Sequence, residues 1–555
     1  MDLVVRIAGA AGQGVQTLGD ILARSLFRRG LYVHGELSYH SRIRGGENAF
    51  TLRIGDVPVA ATARDADLLL ALNEEMLNLY RPHLRAGGRV VADGGVKDDA
   101  VTSVPAVRLA REELGLPIAA GVVLLGAVVR LLGLDPGIVA DEVRDAFGEK
   151  AEPNLRALAL GHEQVRGEVG RLPPPQFGRG EKMLLTGGQA VGAGALAAGC
   201  RFLSSYPMTP GTPVMEYLAR HAAEYGIVVE QAEDEIAAIN MALGASYGGA
   251  RSMVTTSGGG FALMVEGLSL AGMIETPVVI HLGQRPGPAT GLPTRTGQEN
   301  LLFALHAGHG EFPRYLAAPT GPEDAFYLTM RAFELAEEYQ IPAIILTDQF
   351  LVDSYQVVPA LDPARIALRS HVLTADELGR MGQYDRFALT PTGVSPRALP
   401  GVSNKLVLVD SDEHDTSGRI TEDLAIRKAM VEKRLRKGDG LRGEVSPPEI
   451  YPAGLFRGKR VLLGWGSTYG AIREAVEILG EEYAHLHLRE LCPLRTEELE
   501  RVWDEADEVV LVEGTATGQM GKLIAAETGL RPRRFVPRYD GRPFTAQEIV
   551  EEVRG

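Results

Sequence analysis

Apolar residues along this chain come in continuous runs and seldom in alternation. In the first third, "DLVVRIAG" (2–9), "ADLLLALN" (66–73) and "GRVVADGG" (88–95) read as short strands. After the first of them, "VQTLGDILARSLFRRG" (15–30) repeats apolar residues at helical spacing and closes on Gly30. Further on, helix-like "GGQAVGAGALAAG" precedes strand-like "CRFLSS", and "GIVVEQ", "RSMVTTS", "TPVVIHLG" and "IPAIILTD" follow. The last third holds "KLVLVD" (405–410), "RVLLGWGS", "YAHLHLREL" and "EVVLVEG". Unbroken Val- and Ile-rich runs separated by helices predict parallel sheets buried on both faces. The fold class is α/β, in three α/β units, the middle one a doubly wound parallel sheet. Residues 1–170 form the first unit and 171–182, containing "LPPPQFGRG", a linker. Residues 183–357 form the second, 358–401 a connector, and 402–555 the third.

In open parallel sheets, ligands sit beyond the carboxyl ends of the strands. Three unusual loops fall there: "SSYPMTPGTP" (204–213), "TTSGGG" (255–260) and "GQRPGPATGLPTRTGQ" (283–298). Proline fixes φ, so the first loop holds its hydroxyls stiffly. Glu233 and Glu235 stand where a strand runs into a helix of mostly small and apolar residues. Carboxylates are favoured at helix N-termini, and one packed at a buried helix start is a candidate proton handler. Arg285 and Arg295, in a loop rich in proline and glycine, suit bidentate binding of a carboxylate.

Composition removes several functions. The net charge is −15 over 555 residues, with no basic block, which argues against a nucleic-acid binder. Two cysteines exclude a disulfide framework and an iron–sulfur cluster held by this chain alone, which needs about four thiolates. "GAAGQGV" (9–15) lacks the last glycine of a dinucleotide fingerprint and reads as a tight turn. The chain starts directly in a strand, without a basic-then-apolar leader. The longest apolar run, Leu116 to Val129, falls short of the ~20 residues of a spanning helix and reads as a buried helix. No membrane association and a cytoplasmic location are the expectations.

Taken together, "YPMTP", "EDEIAA", "GASYGGARSMVTTSGGGFALM" and "GQRPGPATGLPTRTGQ" resemble the pyrimidine-binding domain of the 2-oxoacid:ferredoxin oxidoreductases, which depend on thiamine diphosphate. "GAAGQGV" and "SRIRGGENAFTLRIGD" resemble the family's gamma subunit. "SDEHDTSGRITED", "MVEKRLRK" and "GTATGQMGKLI" resemble its transketolase C-terminal-like domain. The resemblance implies a fused gamma–alpha subunit for CoA-dependent oxidative decarboxylation of a 2-oxoacid, giving acyl-CoA, CO₂ and reduced ferredoxin.

The resemblance also assigns residues. Thr209 bonds the oxoacid, in a loop shaped by Tyr206, Pro207 and Pro210, and Thr212 lies on the substrate side. Glu235 meets the cofactor's aminopyrimidine ring, with Glu233 the alternative, and Thr256, Ser257 and Gly258 line that pocket. Arg285 takes the substrate carboxylate and Arg295 is a second contact. Met208, Gly211 and Gly259 depart from the family's isoleucine, serine and proline.

No metal ligand is expected in this chain. "GDG" at 438–440 reads as a turn, since no asparagine follows Asn404 to complete the family's Mg²⁺ motif. A beta subunit is therefore implied, supplying Mg²⁺, the diphosphate half of the cofactor site and a 4Fe-4S cluster, in an (αβ)₂ hetero-oligomer serving ferredoxin. The insert Glu413–His414–Asp415, read as an exposed structural turn, and the fused order favour 2-oxoglutarate. A pyruvate or indolepyruvate oxidoreductase subunit, or a non-catalytic assembly subunit, are the alternatives.

Overall fold

The protein is described by a computed structural model covering residues 2–39, 45–94, 101–167, 169, 172–178 and 180–555. The fold class is α/β, as expected, and the chain forms two compact units. One comprises Met1–Thr186, Asp353–Leu361 and Phe544–Gly555; the other comprises Gly187–Val352 and Asp362–Pro543. Among the described residues, no helix is long and apolar enough to cross a membrane.

The first unit is built on an eight-stranded mixed sheet. Its order is Val101–Val104, Leu84–Asp93, Ala66–Ala71, Asp2–Ala11, Gly45–Gly55, Tyr32–Tyr39, Tyr355–Pro359, Lys182–Thr186. Gly12 and Gly14, both at positive φ (91° and 79°), turn the chain from the Asp2–Ala11 strand into the helix Val15–Arg28. The Gln13 side chain closes that turn on Ala10 N at 2.7 Å and Leu72 O at 3.3 Å. This is the expected tight turn. Residues 41–44 of the "SRIRGG" segment lie outside the described residues. The antiparallel strands Tyr32–Tyr39 and Gly45–Gly55 escape a search for continuous apolar runs, because polar His34, Glu36, Asn48 and Thr51 interrupt both. The strands at the two ends of the expected 183–357 unit pair with each other and extend this N-terminal sheet, with Tyr355 opposite Thr186 and Gly35.

The second unit carries two sheets. The larger runs Glu490–Cys492, Tyr315–Ala317, Pro342–Asp348, Val278–Gln284, Ser252–Ser257, Phe202–Ser205, Val228–Gln231. Its pairings are parallel except that of Glu490–Cys492, contributed by the C-terminal third. The smaller sheet has five strands, Glu449–Tyr451, Tyr483–Leu488, Arg460–Trp465, Glu508–Glu513 and Arg534–Pro537 in spatial order. A common core that includes Leu316, Ile344, Trp465 and Leu488 joins the two.

Three expectations are corrected here. "KLVLVD" (405–410) forms no strand: among the described residues no ladder partner lies beside it, Leu406 is exposed, and Val407 O is taken by the Tyr247 hydroxyl at 2.8 Å. "GDG" (438–440) is not a turn but lies within the helix Leu424–Glu444, where Gly440 sits against the Tyr339 ring. The Glu413–Asp415 insert is anchored and not an exposed turn. His414 is fully buried against Phe387 at 3.8 Å between ring centroids. Glu413 accepts two bonds from Arg434, at 3.0 and 2.8 Å, and these partners pull its pKa to about 2 against burial.

The helix Leu424–Glu444 also buries Lys433 and Lys437 on a single carboxylate, Glu275. Lys433 Nζ donates to both Glu275 oxygens at 2.6 and 2.8 Å, and Arg386 donates to Glu275 O at 2.7 Å. Burial alone would raise the Glu275 pKa, but the cations hold it far below the carboxylate range.

In the five-stranded sheet, burial pushes fully buried Glu513 from 4.5 up to about 7, although it accepts from Trp465 Nε1 and Met520 N. An acid with a raised folded-state pKa holds its proton more tightly when folded, so stability falls as pH rises from about 4.5 to about 7. Urea denaturation is expected to show a drop of up to about 3 kcal/mol between pH 5 and pH 8 from this group. Glu513→Gln should flatten that component, and an unchanged slope would exclude it.

Candidate active site

The three unusual loops meet at the carboxyl ends of adjacent strands, Phe202–Ser205, Ser252–Ser257 and Val278–Gln284. In the first loop, Thr209–Pro210 is cis, and Pro210 is buried over Gly283. Gly211 N bonds Met208 O at 2.7 Å, and the Thr255 hydroxyl bonds Gly211 O at 3.0 Å. A Cβ at Gly211 would stand 2.8 Å from Thr255 Oγ1 and 3.1 Å from Thr256 N, so the backbone of this loop admits only glycine there.

Thr209 is half-buried, and Arg285 Nη1 donates to its carbonyl oxygen at 2.6 Å. Among the described residues Arg285 meets no carboxylate, and burial lowers its pKa. A half-buried guanidinium with one backbone acceptor leaves most of its donor fork for an anion. Tyr206 and Pro207 are exposed, while Thr212 is half-buried at the start of the helix Thr212–Arg220.

Glu235 and Glu233 separate cleanly. Glu233 is exposed, whereas Glu235 is 3% exposed at the first position of the helix Glu235–Tyr247, capped by Asp234 on Ala237 N at 2.8 Å. Burial, with Asp234 adding, raises the Glu235 pKa, and its own backbone N–H pulls the other way. Among the described residues its Oε1 is buried without a hydrogen-bond partner, as are Ser257 Oγ and Asn300 Oδ1. A Cβ at Gly260 would collide with both Glu235 Oε1 and Thr256 Oγ1, and one at Gly258 would reach 2.7 Å from Asn300 Nδ2. Glu235 and Thr256 thus meet at Gly260, and Asn300 lies against Gly258.

The stem of Arg295 lies against Gly541. Its loop is stapled to the five-stranded sheet. Gln298 N donates to Gly514 O at 2.9 Å, its Oε1 accepts from Gly514 N at 2.8 Å, and its Nε2 donates to Trp465 O at 2.9 Å. Gln298 and Asn300 were not singled out from sequence. Their signal was available only as "TGQEN" inside an already notable loop.

Outside this region, Glu334, Glu338 and His371 bring ligand-type atoms within 4.8 Å of one another. Glu334 is already engaged by Arg251 and His371, so an ion-pair network accounts for the group.

Residues 193–433 match the family model described as pyruvate flavodoxin/ferredoxin oxidoreductase, thiamine diphosphate-binding, and residues 4–164 match pyruvate ferredoxin/flavodoxin oxidoreductase. The chain is 31% identical to a 2-oxoacid:ferredoxin oxidoreductase subunit alpha of Sulfolobus sp, over 99% of this chain and 96% of that one. It belongs to the 2-oxoacid:ferredoxin oxidoreductase alpha subunits. Another relative is the 2-oxoglutarate oxidoreductase subunit KorA of Mycobacterium tuberculosis, 29% identical over all of this chain and 91% of that one. The solved 2-oxoglutarate:ferredoxin oxidoreductase of Magnetococcus marinus, with 2-oxoglutarate, coenzyme A and succinyl-CoA bound, superposes with a TM-score of 0.92 at 31% identity. The match covers 100% of this chain and 99% of that one.

As a 2-oxoacid:ferredoxin oxidoreductase subunit, the chain carries the family's thiamine diphosphate-binding domain. The residues present fit part of that cofactor. Among the described residues Glu235 Oε1 is a buried carboxyl oxygen without a partner, as a hydrogen-bonding heterocycle would require, and Ser257 Oγ and Asn300 Oδ1 on the neighbouring segments are likewise buried without one.

Proposed function

We propose that this chain is the oxoacid- and pyrimidine-binding half of a CoA-dependent 2-oxoacid:ferredoxin oxidoreductase, with 2-oxoglutarate the favoured substrate. The observation that carries the reading is Arg285. Its guanidinium is half-buried, lacks a carboxylate among the described residues, and rests on the carbonyl of Thr209 in the Tyr-Pro loop.

The net reaction converts a 2-oxoacid and CoA to acyl-CoA and CO₂, and two ferredoxins each take one electron. Thiamine diphosphate, when bound, supplies a nucleophilic carbon and an electron sink for the decarboxylation. Glu235 would hold its aminopyrimidine end, with Thr256, Ser257 and Gly258 lining that end. Burial raises the Glu235 pKa, which favours the protonated carboxyl and suits a group that passes a proton to and from the ring. Arg285 binds the oxoacid carboxylate and Thr209 offers a hydroxyl beside it; Arg295, on the same loop, is the second cation proposed for the substrate side.

A partner subunit completes the enzyme in this reading, with Mg²⁺, the diphosphate and the iron–sulfur cluster on its side. Support comes from the helices Glu235–Tyr247 and Gly258–Met273, which are apolar on nearly every face yet leave Ile236, Met241 and Leu263 exposed. The relatives named for 2-oxoglutarate support the substrate choice.

The test is anaerobic viologen reduction by the chain co-expressed with its partner, across pyruvate, 2-oxoglutarate, 2-oxobutyrate and indolepyruvate. CoA-dependent reduction with 2-oxoglutarate preferred is expected. Arg285→Ala should raise the oxoacid KM on the order of 10- to 100-fold and leave the CoA KM within about twofold. Equal rises in both would remove Arg285 from the carboxylate site.

A further inference from the structure

A line of hydrogen bonds crosses the middle of the seven-stranded sheet and ends on the loop that carries Thr209. Its centre is His281, fully buried in the strand Val278–Gln284. Thr255 lies opposite it on one neighbouring strand, and Thr347 stands two residues beyond its partner Ile345 on the other. His281 Nδ1 is 2.7 Å from Thr255 Oγ1, and Nε2 is 2.7 Å from Thr347 Oγ1. The Thr255 hydroxyl reaches Gly211 O at 3.0 Å.

Only one direction of donation satisfies these contacts. Gly211 O can only accept, so the Thr255 hydroxyl donates to it. Thr255 Oγ1 therefore receives the His281 Nδ1 proton, and Nε2 is left to accept from the Thr347 hydroxyl. The contacts require a proton on Nδ1, which in the neutral ring is the Nδ1–H form. Burial without any charged partner, which lowers the His281 pKa to about 3, keeps it neutral.

A histidine in an apolar strand usually satisfies itself on nearby backbone. Here the line leaves the sheet and ends on a catalytic loop that has little freedom elsewhere, since Pro210 is pressed on Gly283 and Gly211 on Thr255. Moving Gly211 would move Thr209, and Arg285 with it, through the Arg285–Thr209 bond. We propose that His281 is a positioning residue for 2-oxoacid binding, holding the Thr209 loop through Thr255 and braced from behind by Thr347. The inference rests on the proposed role of Thr209 and Arg285 in binding the oxoacid.

Two nearly matched substitutions separate the line from mere core packing. His281→Asn can place an amide N–H where Nδ1 stands and so retains the donor to Thr255. His281→Gln reaches towards Nε2 and loses that donor. In the assembled enzyme, Thr255→Val and His281→Gln should each raise the oxoacid KM roughly tenfold, and His281→Asn less than about threefold, with the CoA KM unchanged throughout. In the full chain alone, amide hydrogen exchange at Gly211, whose N–H is bonded to Met208 O, should quicken in the first two variants and stay near wild type in His281→Asn. Oxoacid and CoA KM values rising together, asparagine and glutamine variants behaving alike, or undiminished loop protection in Thr255→Val would each overturn the proposal. An assembled wild-type enzyme that turned over no 2-oxoacid would instead sink the proposed function, and the exchange measurements would still decide whether His281 holds the loop.

Discussion

Glu235→Gln should lower turnover of the assembled enzyme by about 10²–10⁴-fold, the usual contribution of a positioned acid–base group. Glu233→Gln, two residues away, should leave it within about twofold, because Glu233 is exposed and Glu235 is 3% exposed with an unsatisfied oxygen. The loss should not come from unfolding. A buried carboxyl with an unpartnered atom costs stability, of the order of 1–3 kcal/mol, so the isolated Glu235→Gln chain should melt no lower than wild type. Steady-state viologen reduction beside thermal melts of both variants checks this. Equal losses at the two positions, or full activity in Glu235→Gln, would strip Glu235 of its assigned role.

The second large effect concerns stability. Glu275→Gln removes the only carboxylate contacting the buried ammonium groups of Lys433 and Lys437 among the described residues. Breaking a buried pair by deleting one partner costs about 3–5 kcal/mol, and denaturant unfolding should show that loss near neutral pH. The wild-type pair has a clear sign with acid. Glu275 titrates far below its ordinary value when folded, so its contribution is present above about pH 4.5 and is lost as pH falls towards the depressed pKa. The variant lacks that contribution, so its deficit should shrink as pH falls below about 4.5. Burial already lowers the pKa of both lysines in the wild type, Lys437 to about 7, so stability should rise above pH 7 in both proteins. A deficit independent of pH would point to lost packing and not to uncompensated charge.

How much of this was legible depended on whether the signal was local. The parallel strands around the site were, because burial on both faces leaves runs such as "TPVVIHLG" and "IPAIILTD" with almost nothing polar to confuse them. The edge on which the three loops gather followed from that topology. What sheet the strands Lys182–Thr186 and Tyr355–Pro359 join was not legible, since pairing partners far off in sequence leave no periodicity. "KLVLVD" misled for the complementary reason, having the composition of a strand and no neighbour to pair with. At the site, sequence brought Glu233 and Glu235 forward together, and only burial separates them. His281 was passed over because one polar residue in an apolar strand carries no sign of where its two nitrogens point.

The first unit also has a history in time. Its sheet is extended by a strand from Tyr355–Pro359, and Glu551 of the helix Ala546–Arg554 pairs with Arg64 through two contacts of 3.0 Å. During synthesis His34 and Gly35 wait without their edge partners until residues 355 and 356 have left the ribosome, on the order of tens of seconds. An unpaired strand edge is a template for pairing with another nascent chain, so this interval is where the polypeptide most needs a chaperone. Translation rate and chaperone supply, as well as the stability of the finished protein, should therefore bear on the yield of folded chain.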